Sequence, residues 1–504
     1  MSIKKTLTFG MVGLIAMASS VITWADALGQ FSAYTDIGSV KYPGAMVYSD
    51  AEQTYKISSS GNKLSPCEQQ LHYAYSQISG DFIVHAQLAS KNAGIVSRGE
   101  MGWNVRTSLD ADSAYVSAAV DGDGLAALRF RPEAQGDTEQ YSLQVKSPDV
   151  IQLERRGDVY IFSAAKSGEP LQVTSVSHLK FNKKVYVGLS LCSPDSDRVE
   201  TAIFSNVRMT IPAAKNFSPY KDYIGSNLEI LDLKTGNRRI VFRTSDSIQA
   251  PNWTQDGKSL IYNSKGLLYN FDLASGKPQV IDTGFANSNN NDHVLSWDGK
   301  QIGISSHVAE DDNNSTLYTL PIKGSSKPVQ INATGAGHSY LHGFSPDDKK
   351  LVFTGQRNKI FNIFTIDIKT KQEVQLTSSP ALDDGAEYTP DGKYIYFNSN
   401  RTGLMQLWRM LADGSQQEQL TFDDHNNWFP HISPDGKKIV FLSYMTDIDP
   451  GEHPFYRHVY LREMPIAGGA AKIIAYVYGG QGTINVPSWS PDSSKIAFVS
   501  NTQQ

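Results

Sequence analysis

Cysteine is nearly absent from this chain: two in 504 residues, Cys67 and Cys192. A disulfide-built fold and a thiolate metal site are both excluded by that count. One bridge remains open in an oxidising compartment, where closing so long a loop stabilises by roughly 5 kcal/mol in the chain-entropy model. Two separate thiols fit the sequence equally well. Charge is also sparse. Charged residues make up 19% and the net charge is −5, so the chain has no basic field to attract nucleic acid or an anionic membrane. Long apolar runs are missing after the first 22 residues, so no later segment reads as a membrane span. No G-x-S-x-G elbow occurs, and Gly479–Gly482 lacks the Lys-Ser/Thr that a phosphate loop requires. Asp110-Ala-Asp112 and Asp121-Gly-Asp123 lack the ligand pattern of a calcium loop and read as turns.

What is present begins with an export signal. Lys4 and Lys5 precede the apolar stretch Leu7 to Ile22, and Ala25-Asp26-Ala27 is a small-residue cleavage site. An uncleaved anchor is the alternative. The run is shorter than the ~20 residues of a spanning helix, which favours cleavage after Ala27 and a mature protein in the periplasm or outside the cell.

Six copies of one hairpin fill the second half: NWTQDGKSLIYNS, VLSWDGKQIGISS, GFSPDDKKLVFTG, EYTPDGKYIYFNS, HISPDGKKIVFLS and SWSPDSSKIAFVS. Their aspartates are 256, 298, 347, 391, 435 and 492, spaced by 42, 49, 44, 44 and 57 residues. A period in the forties with alternating apolar strands predicts a propeller of four-stranded blades. Ser/Thr-Pro-Asp-Gly sets a tight turn, and where Asp348 and Ser493 replace Gly, or Gln255 and Trp297 replace Pro, a looser turn is expected. A second hairpin follows five copies. The sixth such hairpin, Asn227 to Phe242, lies ahead of the first copy. A mixed last blade, joining the two ends of the repeat region, therefore closes a six-bladed ring. Residues 28–212 have no repeat but many short alternating strands, which predicts an antiparallel β-sandwich. The expected organisation is a signal at 1–27, a sandwich at 28–212, a linker at 213–224 and a propeller at 225–504, all-β throughout.

The SPDGKKIxFxS hairpins with strands such as IFTIDIKTKQEVQLT resemble the propeller repeats of TolB-like periplasmic proteins. ISGDFIVHAQL, SLDADSAYVSAAV and VYVGLSLCS resemble concanavalin/laminin-G-like sandwiches. The first resemblance implies a periplasmic binding or scaffold role, and the second implies a glycan or protein ligand.

Inner propeller strands begin at one mouth of the central channel, so residues shortly before each motif aspartate converge there. That window holds His293, His338, His342, Asp383, Asp384, Glu387, His425, Trp428, His431 and Asn485. The insertion behind the 57-residue spacing adds His453, Arg457 and His458. Of these, His293, His338, Asp384, Glu387, His425, Trp428 and Asn485 are candidates for ligand binding. His342 and His431 are candidates for a divalent cation. His342, His431 and Arg457 are also candidates for base and carboxylate clamp in a lyase acting on acidic saccharides, as in oligogalacturonate lyases. The bland alternative is that each histidine caps a turn in a wet channel. The first expectation is an exported protein that binds a periplasmic protein or glycan; a metal-assisted polysaccharide lyase or hydrolase is the second.

Overall fold

The computed structural model describes residues 28–60, 69–88 and 99–503. Residues 1–27, expected to be an export signal, and Cys67 fall outside these, so the cleavage and disulfide expectations concern residues that are not described. Among the described residues there is no α-helix, and no helix long and apolar enough to cross a membrane.

The N-terminal unit is two seven-stranded antiparallel sheets. Alternation builds it: in Leu71–Ser79, Phe82–Leu88 and Lys184–Cys192 every second side chain enters one shared core that includes Trp103, Val84, Phe162 and Leu189.

The second unit is a ring of six blades among the described residues. Five are four-stranded meanders, the first being Gln249–Trp253, Ser259–Ser264, Leu267–Asp272 and Lys277–Ile281. The last blade takes Ser226–Asp232 and Arg238–Thr244 from the start of the repeat region and Lys495–Asn501 from its end. Leu228 pairs with Val499 and Ile230 with Ala497, so the ring closes through a backbone ladder, as the repeat phase predicts. This blade differs in one respect. Its innermost strand is reduced to the single bridge Trp489–Ile496. Pro487, two residues earlier, has no N–H to give a ladder.

The turn motif has a defined mechanism. In every copy the hydroxyl two residues before the aspartate donates to its carboxylate, from Thr254 to Asp256 at 2.7 Å through Ser490 to Asp492 at 2.6 Å. The turns at Asp348 and Ser493 are not looser, contrary to expectation. Both residues adopt left-handed φ, 56° and 60°, like Gly257 at 69°, and their N–H groups close turn bonds of 2.8 and 2.9 Å. The side chains offset the conformational cost. Asp348 accepts the Trp297 and Asp298 N–H groups of the preceding blade at 2.7 and 3.0 Å, and Ser493 Oγ accepts the Asp435 N–H at 3.1 Å. Two turns that lack glycine thus tie neighbouring blades together.

The units are locked to each other. Glu229, fully buried in the last blade, pairs with Arg208 of the first unit at 2.6 Å and with Arg238 at 3.0 Å. Burial opposes ionisation of Glu229, but the two guanidiniums outweigh it and hold the carboxyl well below its usual range. Glu154 accepts from His458 at 3.2 Å, and Asn206 Oδ1 accepts the Arg238 N–H at 2.7 Å.

Candidate functional site at the channel mouth

The inner strands are not regular. Each of the five complete ones carries a register shift: between Gln249 and Asn252, Asn289 and His293, Leu341 and Gly343, Asp384 and Glu387, and Trp428 and His431. An extra residue on one strand re-aims the side chains beside it. Here the bulges turn selected polar groups into a cavity of about 1140 Å³ at one mouth of the channel, lined by the five complete blades and by the segments that flank the last one. It is roofed by two segments outside the blades. The insertion after Lys438–Tyr444 brings His453 and Phe455, and the chain between the two units brings Tyr220 and Tyr223. The two tyrosine rings meet Phe455 edge-on at 5.4 and 5.7 Å. The 213–224 segment is therefore part of the site as well as a connector.

The floor is acidic. His342 Nε2 lies 3.0 Å from Asp384 Oδ1, which also accepts from the Thr354 hydroxyl at 2.6 Å and the Gly385 N–H at 2.8 Å. Burial opposes ionisation of Asp384, but the hydrogen bond and charge of His342 outweigh it and hold the carboxyl down at about 2. For His342 burial lowers the pKa, but Asp384, Asp292 and Glu387 together raise it. Asp292 is 7% exposed, lines the cavity, and has no side-chain hydrogen bond among the described residues. Burial pushes it up to about 7; the nearby Asp384 charge adds to this and His342 opposes it. Beside them His453 Nδ1 meets Gln481 Oε1 at 2.5 Å, and Asn485 Nδ2 donates to the same oxygen at 3.0 Å. Burial pulls the His453 pKa down.

Of the residues that the sequence singles out, His342, Asp384, Asn485 and His453 line the cavity. The others do not. His293 is fully buried, with Nε2 3.2 Å from the Ile261 carbonyl. His338 accepts the Ser315 N–H through Nδ1 at 3.1 Å and stacks on Tyr340. Asp383 is held by Arg401, and His425 lies 3.2 Å from Asp424. Trp428 is fully buried in an apolar cluster and offers no face to a sugar. His431 donates through Nε2 to the Ile484 carbonyl, and its Nδ1 lies 2.8 Å from Glu387 Oε2. Arg457 is exposed and lies away from the cavity lining, and His458 belongs to the contact with Glu154. A divalent cation does not fit His342 and His431: the two rings bind different carboxylates, His431 has both nitrogens engaged, and no group of three His, Cys, Asp or Glu among the described residues is arranged to hold a metal.

Two lining residues, Asp292 and Tyr220, do not stand out in the sequence. The signal for Asp292 is adjacency to His293 within the same window, because successive side chains of a strand face opposite sides. Nothing local in the sequence marks Tyr220.

The fold and the cavity define a six-bladed β-propeller with a polar site at its channel mouth. Residues 296–449 match the TolB β-propeller domain family. A curated protein of Agrobacterium fabrum, named uncharacterized protein Atu1656, is 43% identical over 275 residues, which is 54% of this chain and 92% of the relative. A solved structure from Agrobacterium tumefaciens, provisionally named TolB, is 41% identical with a TM-score of 0.53, covering 56% of this chain and all of that one. TolB from Acinetobacter baumannii is 16% identical with a TM-score of 0.40, covering 65% of this chain and 79% of that one. The chain belongs to the TolB-like β-propeller family.

Proposed function

We propose that this is an exported binding protein of the periplasm, which takes part of a protein or glycan partner into the propeller mouth while the N-terminal sheets offer a second surface. The observation that carries this reading is the 1140 Å³ cavity, whose lining residues are mainly polar and include the aromatic rings of Tyr220, Tyr223, Tyr340 and Phe455. Family membership supports it, since TolB-like propellers are periplasmic. The floor of the site does not favour the lyase reading. A uronate needs a cation or arginine at its carboxylate, whereas this floor presents Asp292 and Asp384, and Arg457 lies elsewhere.

The test is cell fractionation followed by photo-crosslinking from Phe361, which lines the cavity. The expected result is a mature chain beginning near Leu28 in the periplasmic fraction, with a discrete adduct that is absent when the crosslinker replaces exposed Val280. Cytoplasmic retention, or equal adducts from both positions, overturns the reading.

A further inference from the structure

A carboxylate set in a cavity wall with no hydrogen-bonding partner from the protein leaves its oxygens open to whatever group enters the cavity. Asp292 is in that position. The charges that face it do not satisfy it. His342 and Asp384 are committed to each other at 3.0 Å. His453 is drawn to Gln481, and burial keeps its pKa low. Lys265 on the rim is paired with Asp246 at 2.6 Å. Tyr220 and Tyr340 flank the cavity, and burial is the main cause holding the pKa of the Tyr340 hydroxyl up, so that ring stays neutral. With His342 and Asp384 cancelling, the floor keeps one unbalanced acidic group beneath aromatic faces. That combination attracts a compact organic cation by ion pairing and by the ring quadrupoles.

We propose that the propeller mouth recognises an ammonium or guanidinium group, seated on Asp292 and enclosed by Tyr220, Tyr340 and Phe455. This rests on the reading of the mouth as a binding site and specifies the chemistry it takes. It also implies a pH dependence. Asp292 sits at about 7, so the ion pair forms fully only above neutrality. Acidification removes the Asp292 charge and so weakens binding of a cationic ligand; His307, the other histidine of the lining, is engaged with the Asn313 carbonyl at 3.0 Å.

The test is calorimetric titration of the full chain with agmatine, arginine amide, an arginine-containing tripeptide, citrulline amide as the neutral isostere, and galacturonate. Each is measured at pH 8 and pH 5.5, against wild type and Asp292→Asn. The expected result is binding of the guanidinium probes at pH 8, at least tenfold weaker for citrulline amide, at pH 5.5, and in Asp292→Asn. A tripeptide that binds tenfold tighter than agmatine assigns the cation to a peptide; equal affinities assign it to a free amine. Either supports the proposal. Equal affinity of citrulline and arginine amides, preference for galacturonate, retained affinity in a folded Asp292→Asn, or no cationic binding at millimolar concentration overturns it. In the last case a crosslinked partner would still leave the mouth a binding site, so the two readings fail separately. Circular dichroism of Asp292→Asn checks the fold.

Discussion

Two histidine–carboxylate pairs lie on neighbouring inner strands and have the same chemistry in different surroundings. His431 and Glu387 are sealed in the ring: the histidine also bonds the Ile484 carbonyl, and Glu387 Oε1 accepts the Ile432 N–H at 3.0 Å. His342 and Asp384 face the open cavity. The first pair fastens three blades together. The second helps to set the charge of a site. Residue types at a given level of a propeller therefore do not fix a role; the facing of each side chain does, and a one-residue bulge decides the facing.

The largest expected effect tests the sealed pair. Glu387→Ala leaves His431 and the Ile432 N–H without their acceptor, and should destabilise by about 3–5 kcal/mol in guanidinium unfolding. Asp292→Asn should act in the opposite direction. The Asp292 carboxyl has a folded pKa raised to about 7, so its ionisation lowers stability progressively between about pH 4 and pH 7. Removing it should raise the melting temperature at pH 8, by an effect on the order of 2–4 kcal/mol, and change little at pH 4. Asp384→Ala should cost less, about 1–3 kcal/mol, because cavity water reaches the groups it leaves. Its cost should peak between about pH 4 and 6.5. Asp384, depressed to about 2, contributes above its usual carboxylate range, and that contribution fades as pH falls. His342, with its pKa raised, contributes fully below about 6.5 and loses this as pH rises through its folded value. Melting curves across pH 4 to 8 separate the two aspartates by sign. The rim pair Lys265–Asp246 is exposed, and Lys265→Ala should move stability by about 0.5 kcal/mol or less.

Most of the ring is legible in the sequence because its turn chemistry recurs. Ser/Thr two residues before Asp makes the same hydrogen bond six times, and the phase of the second hairpin locates the closing strand. The level of the mouth is legible too, since His342, Asp384 and Asn485 arrive there. What is hidden depends on geometry that no local pattern encodes. Bulges put Asp292 in the cavity and His293 in the wall. Tyr220 reaches the site only because residues 213–224 fold back over the mouth, with Phe217 against Tyr456 at 4.9 Å. The turn substitutions at Asp348 and Ser493 look like defects along the chain and become inter-blade ties only in three dimensions.

The closing ladder has a consequence for how the molecule is made. Leu228 leaves the ribosome about 270 residues before Val499, its partner, so this pairing is among the most non-local in the chain. Throughout that interval the strand Ser226–Asp232 has one uncovered edge, and nascent blades offer it neighbours of nearly identical pattern. Correct maturation therefore depends on keeping an early strand vacant until its late partner arrives, which makes the order of synthesis part of the folding problem.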